Sequence, residues 1–197
     1  MTSTPGVTDA PGTGAPASVP GHLGSLLRHF GDLRDGLHGD QGTRQGKERL
    51  FVTAVELLGP YAEQALREVN EHLLRNTGEI RASGVRRTPD GGVAATWALT
   101  WPEQRVTEID PITIRAHYGG GFHHPHLSGA TVGEWPLNVF DAGQAAAELP
   151  LLRAIVAADL HNLVFQRDFR IVPATVAEGG PLRPGAVLNP RTKGLPV

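Results

Sequence analysis

The chain has 197 residues, 18 Lys+Arg against 20 Asp+Glu, a formal net charge of -2 and no cysteine. The missing thiol excludes disulfides, cysteine-ligated zinc, iron–sulfur clusters and thiol catalysis, and the scattered cations form no footprint for nucleic acid. No run approaches the roughly 20 apolar residues that cross a bilayer, and the chain does not open on a basic start followed by an apolar stretch, so the expected location is the cytoplasm, away from membranes.

Residues 1–20 are Pro, Gly, Ser, Thr and Ala with almost no large apolar side chain. Such a segment buries too little surface to offset its ordering entropy, which predicts a disordered tail. Residues 178–197 are again Gly/Pro-rich and predict a second tail, leaving 21–177 as a single domain with one ordinary core. Over 22–38, Leu23, Leu26, Leu27, Phe30, Leu33 and Leu37 recur at helical spacing, but Gly24, Gly31 and Gly36 weaken the helix. This reads as a helix for docking rather than for the core. Residues 48–75 form the clearest helical stretch, with Pro60 predicting two helices or a kink. Its second half carries Ala65, Leu66, Val69, Leu73 and Leu74 on one face, with Glu63–Arg67 and Glu71–Arg75 as four-residue ion pairs.

The period then changes to two. Val93, Ala95, Trp97, Leu99 and Trp101 alternate with smaller or polar residues, the pattern of a strand with one buried face. Pro89-Asp90-Gly91-Gly92 is a turn, making 79–87 the hairpin partner. Residues 111–118 alternate again through Ile112, Ile114, Ala116 and Tyr118. A Gly-rich loop follows, then an extended stretch over 130–140 broken by Pro136. Asp141 can cap a last helical region that Pro150 resets, with Leu151, Leu152, Ile155, Val156, Leu160, Leu163 and Val164 as its apolar stripe. Residues 169–172 read as a last short strand. The fold class is therefore α+β, an antiparallel meander of about four strands flanked by N-terminal and C-terminal helices.

Chemistry concentrates in one segment. Four of the nine histidines lie between His117 and His126, around Gly119-Gly120-Gly121. One reading is a metal site for zinc or iron, because neutral imidazole is a ligand for such ions. His124 and His126 are two apart and point the same way in an extended chain; His117, His123, His161 and the carboxylate of Glu134 are the further candidates, enough for three histidines or two with a carboxylate. Tyr118, Phe122 and Trp135 are the candidate binding aromatics around them. The competing reading is that these imidazoles bond backbone carbonyls and hold a glycine-rich loop in shape, with His123 exposed. His22, His29, His38 and His72 fall on expected helices and read as surface residues. Ser128 has no nucleophile elbow, the three glycines lead into no helix and so form no phosphate loop, and Trp97 and Trp101 read as core.

Pro111-Ile112-Thr113-Ile114, then Phe122-His123-His124-Pro125-His126-Leu127-Ser128-Gly129, then Gly133-Glu134-Trp135 resemble the strand-plus-loop region of the ubiquitin-conjugating-like superfamily over about residues 79–165. The resemblance implies that His124-Pro125-His126 supports the active-site loop and that the catalytic cysteine would fall near Thr131 to Gly133. No cysteine stands there, so what it implies is a non-catalytic binding variant. Two functions stay open: an accessory module acting through a protein partner, its first helix lying in a partner groove, and a small metal-dependent enzyme or metal-binding protein using the histidine loop.

Overall fold

The computed structural model describes residues 19–176. The tails expected from composition lie, apart from Val19 and Pro20, outside the described residues. Helix α1 spans Gly21–Asp35 and ends on Gly36, whose positive φ of 68° is the left-handed conformation glycine adopts without strain. Helix α2 spans Arg44–His72; the Thr43 side chain accepts from the Gly46 N–H at its start. Pro60 lies inside α2, which is one continuous helix, so of the two expected outcomes the division into two helices does not form. The Glu63–Arg67 pair forms at 3.2 Å. Arg75 lies beyond the helix end and donates instead to the Val176 carbonyl.

Strands β1 (Glu79–Ala82), β2 (Arg86–Arg87), β3 (Val93–Thr100), β4 (Ile112–Tyr118), β5 (Pro125–Ser128) and β6 (Trp135–Pro136) form one antiparallel sheet in the order β1-β3-β4-β5-β6, with β2 also on β3. A short helix α3 (Pro102–Val106) joins β3 to β4, and α4 (Ala142–Ala147) leads into α5 (Leu149–Gln166). The fold is α+β, with helices at both ends of the meander. Asp141 caps α4 by accepting from the Gln144 N–H, and Pro150 sits in the first turn of α5, both as expected.

Four local expectations are corrected. The partner of β3 is two short strands, because Gly84 at φ 63° breaks the run between them. Residues 125–128, expected in a loop, form β5. Residues 169–172, expected as a strand, form a tight helical turn at Phe169–Ile171, capped by Asp168 accepting from the Arg170 N–H. Of 130–140 only Trp135–Pro136 pairs as strand.

The alternation over β3 and β4 decides the core. Val93, Ala95, Trp97, Leu99, Ile112, Ile114, Ala116 and Tyr118 are buried on one face, where α2 and α5 pack on each other and on β3 and β4. Phe51, Leu58, Leu66, Leu152, Ile155 and Val156 complete it. Each large aliphatic side chain so buried contributes roughly 1.5–3 kcal/mol relative to exposure. Among the described residues no helix is long and apolar enough to cross a membrane.

The glycine loop serves the backbone. A Cβ on Gly120 would strike the Asp90 carbonyl, and one on Gly92 would strike that of Tyr118. The Asp90 carboxylate accepts from the Gly120 N–H at 2.7 Å, so the β2–β3 turn and the β4–β5 loop are tied face to face. Phe122 takes a positive φ of 47° and is buried against Tyr118, with the Arg44 guanidinium over its ring.

Candidate metal centre

Strand register builds the first half of the site. His117 on β4 pairs directly with His126 on β5, and both side chains leave the sheet opposite to Ala116 and Leu127, which are buried. His124 stands two residues before His126 and shares its face. Glu134 precedes β6, whose Pro136 pairs with His126. The Glu134 carboxylate reaches the His117 Nε2 at 3.3 Å and the His126 Nε2 at 3.8 Å, and is 61% exposed, so this side of the cluster faces water.

The second half comes from α1. His29 is 6% exposed and packs edge-on against His124, ring centroids 4.5 Å apart, with His126 at 6.1 Å. The His124 and His126 rings lie 4.2 Å apart, and those of His117 and His126 5.5 Å apart. Two overlapping ligand sets result among the described residues: His29, His124 and His126, and His117, His126 and Glu134. Within each set, one ligand atom per residue lies within 4.8 Å of the others. Nitrogens around a tetrahedral zinc with bonds of 2.0–2.1 Å stand about 3.4 Å apart, inside the 4.8 Å within which each set's atoms lie.

The electrostatics favour the ligating form. Burial pushes His29 and His126 below the ordinary imidazole value, and burial followed by repulsion from His126 takes His124 down to about 4. All three favour the neutral form at pH 7, in which one ring nitrogen has a lone pair for a cation. The Nδ1 atoms of His29, His117 and His124 are buried without a hydrogen-bond partner. Buried polar atoms are normally paired, and the unpartnered atoms of His29 and His124 belong to the same three-histidine set. Asn138 supplies the outer support. Its carbonyl accepts from Arg28, its side-chain N–H₂ donates to Asp32 at 3.2 Å, and its amide lies beside His29. Such outer partners orient metal-bound histidines.

Not every expected residue joins. His123 is exposed. His161 lies exposed on α5, its ring against Phe165 and its Nδ1 3.3 Å from the Asn162 side-chain oxygen, outside both ligand sets. Tyr118 and Phe122 belong to the core, while Trp135 is half-buried with an unpartnered Nε1. The reading of the histidines as carbonyl-bonded loop props is not what forms: His124 and His126 flank and enter a strand, and neither donates to a backbone carbonyl among the described contacts.

His29 and His38 are corrections, since both were expected at the surface and both are buried. His38 follows α1, packs on Tyr118 and Phe140, and is held near a pKa of about 4 by burial. The signal for His29 was present: Ser25, His29 and Asp32 stand four and three residues apart, a polar stripe on the helix whose apolar stripe drew attention.

No protein-family model, curated protein or solved structure matches the chain.

Proposed function

We propose that the protein binds a transition-metal ion, with zinc in the three-histidine set His29, His124 and His126. What carries the reading is the arrival of buried His29 from a distant helix at two strand histidines, with unpartnered Nδ1 atoms on His29 and His124. Three neutral imidazoles leave one position of a tetrahedral zinc open to water or to a fourth protein group. Glu134 and His117 stand beside it through the shared His126, and the two-histidine, one-carboxylate set they form with His126 suits ferrous iron. The test is metal analysis of untagged, full-chain protein followed by titration of the stripped protein with zinc and with ferrous iron. Stoichiometric zinc that disappears in the His124→Ala/His126→Ala double variant supports the reading. Iron bound through Glu134 and His117 moves the ion to the second set, and unchanged metal content in the double variant overturns both.

A second reading is an accessory module acting through a protein partner, as the ubiquitin-conjugating-like resemblance implies for a chain without the cysteine. The observation favouring it is the outward apolar stripe of α1, where Leu23, Leu27, Phe30 and Leu33 are exposed, Leu27 by 61% and Phe30 by 58%. Substituting Leu27 and Phe30 by Glu would abolish a native complex recovered with the wild-type chain; recovery of the same complex with the variant rejects it.

A further inference from the structure

We infer that the metal fastens α1 to the rest of the fold, so that cation loading sets whether residues 21–37 stay docked; this deepens, and rests on, the proposed three-histidine centre. The argument starts from how little else holds the helix. Gly24 and Gly31 lie inside α1, and Pro20 at its start makes no side-chain cap. Each interior glycine costs a helix about 1 kcal/mol relative to alanine, and a 15-residue helix is marginal alone. Helices in proteins are normally held by burying an apolar face, but the buried residues of α1 are Ser25 and His29. Four of its large apolar side chains, at 23, 27, 30 and 33, face water, and Leu26 is half-buried.

The contacts holding it inward are polar: Arg28 to the Asn138 carbonyl, Asp32 to the Gly39 N–H at 2.9 Å and to the Asn138 side chain, and His29 against the strand histidines. Without a cation, docking buries an imidazole Nδ1 that bonds nothing. With one, His29 and the β5 histidines share an ion, and the part of the binding free energy that His29 supplies becomes docking free energy, because the undocked chain keeps only the set of His117, His126 and Glu134. The sheet does not need the ion, since its core lies on the opposite face.

Hydrogen exchange of the full chain, with zinc and with chelator, tests this. Zinc is expected to slow exchange across 21–37 by roughly tenfold or more while β3 and β4 change little. In the His29→Ala variant, zinc retained through His124, His126 and the Glu134 side should leave α1 exchange unchanged. The His124→Ala/His126→Ala variant, with α1 intact, should lose the zinc effect as well, so a misfolded His29→Ala chain does not leave the question open. Saturable zinc binding with α1 exchange unaltered in the wild-type chain overturns the fastening and spares the centre. Absence of zinc binding overturns the centre and the fastening together.

Discussion

Helices α1 and α5 carry equally legible apolar stripes, and the fold uses them in opposite ways. On α5 the stripe is the core: Leu152, Ile155 and Val156 are fully buried against the sheet and α2. On α1 the stripe faces outward and the thin polar stripe, Ser25, His29 and Asp32, faces the protein. Periodicity shows that a helix has two faces. What decides which face docks is the surface beneath. Under α5 lies the alternating apolar side of β3 and β4, and beside α1 lie histidines and Asn138 on the other side of the sheet.

The contrast can be attacked first where it predicts most. Leu152→Ala, in the core under α5, is expected to lower stability by about 2–5 kcal/mol in denaturant unfolding, as large-to-small changes at fully buried sites do. A loss below about 1 kcal/mol would deny α5 its role. Next comes His126→Ala, which removes the residue shared by both ligand sets. Zinc affinity should fall by more than the roughly 100-fold that losing an outer partner produces, measured by titration calorimetry. Asn138→Ala, which removes such a partner, should weaken binding by about 10–100-fold.

A smaller effect follows from pH. His124 and His38 are held near about 4 against an ordinary value of 6.5. Well above pH 6.5 neither state of the protein binds these protons, so they do not affect stability. As pH falls from 6.5 towards 4, the unfolded chain takes up the protons first, and the metal-free protein loses stability through that window. Below about 4 the loss levels off. Unfolding midpoints that stay flat from pH 7 to 4.5 would contradict the burial of these imidazoles. Smallest of all, Leu27→Ala on the outward stripe should change stability by no more than about 0.5 kcal/mol; a loss like that of Leu152→Ala would mean the stripe is covered within the fold.

Legibility in the sequence followed the range of the interactions. The buried faces of β3 and β4 and the stripe of α5 could be read residue by residue, because period and burial are local consequences of strand and helix geometry. Asp141 and Pro150 were readable for the same reason. Strand β5 was hidden because its alternation runs for only four residues and starts on a proline, too short to stand out, and its pairing comes from β4 beside it. Residues 169–172 looked like a strand, yet Asp168 closes a turn over Arg170. Within the site, His117, His124, His126 and Glu134 were legible from composition and the period of two. For His29 the polar stripe with Ser25 and Asp32 could signal an inward face, but not its partners, which lie about 95 residues away and are reached only through the packing of α1 beside β6 and α4.

The most direct test of the metal centre is calorimetric titration of zinc into chelator-stripped, untagged full-chain protein beside the His124→Ala/His126→Ala variant. One-to-one saturable binding in the native chain and none in the variant is the predicted result. Heat no greater than dilution in the native chain, or the same isotherm in both proteins, would contradict it.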